Sequence, residues 1–162
     1  MTQAIIRESS KQNAQVSGNS LYDVDFLLWT EAMVARLRAG DFTNLDMENL
    51  IEEIESLGKS QKKEIKSRLR TLIEHLLKRI YVNMPECFAG WENTIRTQRY
   101  EIELTLDDSP SLRVMWNDSF QVAFTKALQG VRAEYAQKGF IFPNTWQFSR
   151  DVEAILTVNF WE

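Results

Sequence analysis

Ile65, Leu69, Leu72, Ile73, Leu76, Leu77 and Ile80 recur at helical spacing, mostly three or four residues apart. That spacing places all of them on one face of an α-helix. A strand reading fails, because the apolar residues do not alternate. A stripe this long must be buried against other elements, so the rest of the chain has to supply them. The helix is expected over about 61–82, with Ser60 as its cap. Glu64–Arg68 and Glu74–Lys78 are i,i+4 pairs in the favourable order, each worth ~0.2–0.5 kcal/mol on an exposed face.

The neighbouring segments carry the same period. Tyr22, Phe26, Trp29, Met33 and Leu37 share a face of a first helix over about 21–39, with Gly40 as its stop. Met47, Leu50, Ile51, Ile54 and Leu57 form a narrow stripe on a second helix over about 47–57. Asp46 suits its N-cap, Leu45 and Leu50 have hydrophobic-staple spacing, and Gly58 is read as its end. Helices two and three then meet at a tight corner. Pro85 is read as a terminator, with a loop over 83–90 and a fourth helix over about 91–107. Ser109-Pro110 is a helix start, opening a fifth helix that runs to about 137 and stops at Gly139. FIFPNTWQF is an extended connector, with a short strand as the alternative. Ser149 caps a last short helix over about 150–158.

The expected fold is therefore all-α, a single-domain bundle of about six helices spanning 21–162, preceded by a loose polar arm over 1–20. A chain of 162 residues buries enough surface to need no disulfide or metal staple. The net charge of −4 argues against nucleic acid as the ligand. Cys87 is the single cysteine and has no intramolecular partner, which fits a reducing cytoplasm. No apolar run reaches the ~20 residues that span a bilayer.

Several blocks match a known pattern when taken together. These are LDMENLIEEIESLG, SRLRTLIEHLLKRIY, GWENTIRTQRYEI and DDSPSL, with YDVDFLLWTEAMVARLRAGDF ahead of them. The chain resembles the bacterial, largely cyanobacterial family catalogued as domain of unknown function 29, over about residues 21–157. The resemblance implies a helical fold and brings no assigned reaction, ligand or cofactor. The family pattern usually has a tryptophan after HLLK, where this chain has Arg79, Ile80 and Tyr81.

Four groups of residues could carry chemistry. Glu52 lies ~160° from the centre of its helix's apolar stripe, and Glu53 and Glu55 flank that stripe at ~100° on opposite sides. Three acids on three sides of one helix form a solvated acidic face; the sharper reading has Glu53 reaching from its flank toward a cationic partner. His75 stands among Thr71, Lys78 and Arg79 without Glu-x-x-His or His-x-x-x-His spacing, so metal ligation would need other helices. Arg99 falls within the apolar stripe of helix four and needs a carboxylate if buried, Glu53 being the expected partner. The alternative is that Arg99 packs its stem and leaves its head in water. Lys59, Lys62, Lys63, Lys66, Arg68 and Arg70 crowd one helical start without interleaved aromatics, which is not a stacking platform for single strands.

The sequence thus points to a cytoplasmic all-helical binding or adaptor module that makes protein contacts, with a protein partner or a homodimer. No cofactor, metal or membrane is expected. Two alternatives remain open. One is a hydrolase- or nuclease-like enzyme using Glu52, Glu53 and His75, with Arg99 as a further candidate. The other is a toxin–antitoxin-type or nucleic-acid-linked partner acting through the Lys59–Arg70 stretch. Val158, Phe160 and Trp161 end the chain and are expected to dock on the core rather than form a dimer contact.

Overall fold

Ser20 begins the described structure, a computed structural model whose described residues are 20–162. The arm expected over 1–20 lies, but for Ser20, outside them. The described residues are all-α, with no strand among them. The helices are α1 (Leu21–Val24), α2 (Phe26–Ala39), α3 (Met47–Tyr81), α4 (Pro85–Asp108), α5 (Trp116–Glu134) and α6 (Val152–Thr157). Single 3-10 segments occupy Phe42–Asn44 and Pro110–Met115. Two compact units divide the chain, one ending at Ile54 and the other Glu55–Glu162.

The smaller unit holds the first helices. Ser20 and Asp23 form a reciprocal capping box on α1. The single helix expected over 21–39 is broken at Asp25, whose carboxylate accepts the Leu28 N–H at 2.9 Å and so caps α2 afresh. Gly40 ends α2 in the left-handed region, at φ 70°, as its position requires. Inside the unit Trp29 and Met33 are buried. The Trp29 indole N–H donates to Asp46 at 3.1 Å, and the Tyr22 ring meets Trp29 edge-on at 4.9 Å.

No corner exists at Gly58. The two helices expected over 47–57 and 61–82 are one helix, α3. Glycine costs a helix interior only ~1 kcal/mol relative to alanine. Strong helix formers on both sides outweigh that cost, and Gly58 keeps a negative φ. Ser60 accordingly caps nothing.

Pro85 starts α4 instead of ending a helix, because proline at the first helical position gives up an N–H that has no partner there. The loop expected over 83–90 shrinks to a few residues. The larger unit's core joins Leu69, Leu72, Leu76 and Leu77 of α3 to Ile95, Ile102 and Leu106 of α4 and to Phe120, Ala127 and Val131 of α5. Burying a side chain such as Phe120 contributes about 1.5–3 kcal/mol.

The fifth helix begins as the 3-10 segment after Ser109, and α5 proper starts at Trp116. Ser109 makes no capping bond; its hydroxyl reaches Gln61 at 3.3 Å. Gly139 takes φ 74°, and residues 140–151 run as an irregular connector pinned by Arg132, which donates to the Phe142 carbonyl at 3.0 Å and to Asn144 at 2.7 Å. The last helix takes Asp151, not Ser149, at its cap position. Phe160 and Trp161 pack against the core, as expected, while Val158 stays exposed.

Candidate functional site

The carboxylates on the first turns of α3 do not form a joint site. Glu52 is exposed. Glu53 is half-buried and accepts the Tyr22 hydroxyl at 2.5 Å within the smaller unit. That bond, then partial burial and the Glu53 charge, hold Tyr22 up to about 12. Glu55 pairs with Lys59 at 3.0 Å on the surface.

His75 and Arg99 likewise have partners of their own. The His75 Nδ1 lies 2.8 Å from the Thr71 carbonyl, one turn back on its own helix. Arg99 does not pair with Glu53, which corrects the expected ion pair. Its guanidinium donates to the Ile155 carbonyl at 3.0 Å, to the Val158 carbonyl, and to Asn159 at 3.4 Å. A cation at the C-terminus of α6 meets unpaired carbonyls there, so the charge is satisfied without a carboxylate. Burial pushes the Arg99 guanidinium down from its ordinary value. The sequence holds no local trace of this arrangement, because the partners lie 56 to 60 residues away.

Lys78 is the charged group that sequence reasoning misplaced. The Glu74–Lys78 pair expected on an exposed face is buried at its lysine, which is only 7% exposed. Its ammonium lies 3.3 Å from Glu74 and 2.7 Å from Glu134 of α5. Two acids around one buried cation meet the requirement that buried charge be paired. Beside them, burial first and then the Glu134 carboxylate push Tyr135 up to about 12. Gly130 faces Glu74; a Cβ at that position would lie 3.8 Å from the carboxylate, an ordinary contact. Glu64–Arg68 forms as expected at 2.8 Å, and Arg68 also reaches Glu101 at 3.4 Å.

Arg79 follows the HLLK block on α3. Its guanidinium lies 3.8 Å from the centre of the Phe88 ring and 5.0 Å from that of Trp161, and it donates to Glu92 at 2.6 Å. It therefore ties the chain's last residues to α4.

Each unit has an exposed surface of distinct chemistry. In the smaller unit, Val24, Phe26, Leu27, Leu28, Ile51 and Ile54 are exposed large apolar residues. In the larger unit, a cleft of about 450 Å³ between α3 and α5 is lined by Lys59, Lys62, Lys63, Lys66, Arg70 and Lys126 around Val122 and Ala123. Apart from Lys59, none of these cations has a carboxylate partner among the described residues. No group of three or more His, Cys, Asp or Glu is placed to hold a metal ion among the described residues. No described helix is long and apolar enough to cross a membrane.

The described residues define an all-helical protein whose buried Lys78 and Arg99 are satisfied by structural partners. The chain belongs to the family described as Domain of unknown function DUF29, whose model matches residues 21–161. No curated protein and no solved structure matches it.

Proposed function

We propose that the protein is a cytoplasmic binding module that works through protein contacts, with its contact surface on residues 20–54. The observation that carries this reading is the imbalance within the smaller unit. Among its described residues Trp29 and Met33 are the buried apolar side chains, while Leu27 is 70% exposed and Ile54 61% exposed. Exposed apolar residues gathered in one unit mark a contact surface more often than solvent-facing decoration. The lone Cys87 is in keeping with a reducing cytoplasm.

The enzyme alternative has less support. Glu53, His75 and Arg99 each have a different partner, the Tyr22 hydroxyl, the Thr71 carbonyl and the Ile155 carbonyl. A general acid or base needs a free group within reach of a substrate.

The test is a photo-crosslinking amino acid placed at position 27 or 54 in living cells, with exposed Gln121 as control. A discrete adduct to one polypeptide at 27 and 54, and none at 121, supports the reading. Equal diffuse labelling at all three positions contradicts it.

A further inference from the structure

Within the larger unit, α3 carries a line of cations. Counting ~100° per residue, Lys59, Lys62, Lys63, Lys66 and Arg70 fall within a ~100° arc of that helix. The line runs over about three turns, or ~16 Å. Lys126 of α5 lines the same cleft of about 450 Å³. Side chains three or four apart on a helix are neighbours, so these like charges repel one another and disfavour the helix. Elsewhere in the unit Arg68, Lys78, Arg79 and Arg113 each have a carboxylate. In the cleft only Lys59 has one, Glu55 at 3.0 Å. Lys62, Lys63, Lys66, Arg70 and Lys126 have none within ion-pair distance among the described residues, although Lys66 is half-buried. A chain of net charge −4 has acids to spare, yet none relieves this group.

We infer that this cleft binds an acidic segment of a partner protein, with carboxylates on the cations of α3 and an apolar side chain against Val122. The site lies wholly within the larger unit and shares no residue with the contact surface on 20–54. Val122, 45% exposed, and Ala123 give the cleft an apolar wall from α5. A segment with acids at helical spacing and an apolar residue between them matches both parts. The cations steer it in, and the apolar contact selects it from other anions.

Phosphate ligands use only half of the site. Phosphate sites are commonly built from free backbone N–H groups. The residues lining this cleft lie inside α3 and α5, where the N–H groups are already bonded along the helix. No aromatic side chain lines the cleft, so the bases of a nucleic acid have nothing to stack on. A phosphate chain also leaves Val122 without a partner.

The experiment is fluorescence anisotropy of the full chain with labelled probes, in low and in high salt. The main probe is a helical peptide of glutamate and alanine with leucines one turn apart; a second has glutamines in place of the leucines. The wild type is expected to bind the leucine peptide saturably, and more weakly as salt rises. Lys62→Glu with Lys66→Glu is expected to weaken binding at least ~10-fold. Lys62→Gln with Lys66→Gln is expected to weaken it too while melting no lower than the wild type, because like-charge repulsion is relieved. That pairing of results separates lost binding from lost folding. Val122→Gln is expected to cost about 5-fold with the leucine peptide and nothing with the glutamine peptide. A leucine peptide that fails to bind the wild type overturns the proposal, as does one whose affinity neither lysine pair changes. Equal binding of the two peptides, untouched by Val122→Gln, reduces the site to bare charge and overturns it as well. A single-stranded oligonucleotide or an inorganic polyphosphate of the same charge that binds more tightly than the leucine peptide overturns it in favour of a phosphate ligand.

Discussion

Neutralising both partners of Lys78 should destabilise the larger unit far more than removing Lys78 itself. Lys78 is 7% exposed and its ammonium has two carboxylates, at 3.3 Å and 2.7 Å. Breaking a buried pair by removing the opposite charge costs about 3–5 kcal/mol. Glu134 is 47% exposed, so water screens part of its share. The expected loss for Glu74→Gln with Glu134→Gln is therefore about 2–3 kcal/mol. Glu74→Gln alone leaves the shorter contact in place and should cost ~1 kcal/mol. Lys78→Met removes the desolvated charge and keeps most of the packing, so it should stay within ~1 kcal/mol of the wild type. Urea unfolding, with slopes compared to confirm a common transition, measures all three. A Lys78→Met variant as unstable as the double glutamine variant would refute the argument. The cluster would then be stabilising as a unit rather than costly when unpaired.

Three other perturbations test separate parts of the account. Gly58→Ala should stabilise the protein by ~0.5–1 kcal/mol in thermal unfolding. Gly58 sits inside α3 and an added methyl meets nothing within 4 Å, whereas a true helix corner there would make the change destabilising. Arg99→Met should release the end of the chain, costing ~2 kcal/mol and speeding amide exchange over α6 and the residues after it. Unchanged exchange there would mean that the Ile155 and Val158 carbonyls are not held by Arg99. Tyr22 is raised from 10.0 to about 12, so its bond to Glu53 contributes stability that is fully present below pH 10 and lost as pH rises through 12. Ultraviolet phenolate titration should show that late-titrating group vanish in Tyr22→Phe; a titration curve that loses only an ordinary phenol would contradict it.

The parts of the fold that were legible in the sequence are those written by local period. The stripe of Leu69, Leu72, Leu76 and Leu77 is buried as its spacing predicts. Trp91, Ile95, Ile102 and Leu106 face the core together. Punctuation was read less well, because glycine and proline act through context. Gly58 looked like a stop and is helix interior; Pro85 looked like a terminator and is a first helical residue. Asp25 carried a cap that the apolar period hid.

Side-chain partners were the least legible. That Arg99 would turn inward followed from its place in a stripe. That it would find carbonyls near residue 155 instead of a carboxylate did not, since main-chain acceptors leave no mark on residue identity. Lys78 looked like half of a surface pair because Glu74 is one turn away. Its burial depends on α5, which delivers Glu134 from far along the chain.

The central claim is that residues 20–54 present a surface built for a protein partner. Hydroxyl-radical footprinting compares that surface in the purified chain and inside intact cells. Phe26, Leu27, Leu28 and Ile54 are exposed and should be oxidised readily in the purified chain. Inside cells the account predicts that these residues are protected, while the exposed Val114 and Ile141 of the larger unit are oxidised equally in both settings. Equal oxidation of Leu27 and Ile54 in the two settings would contradict it.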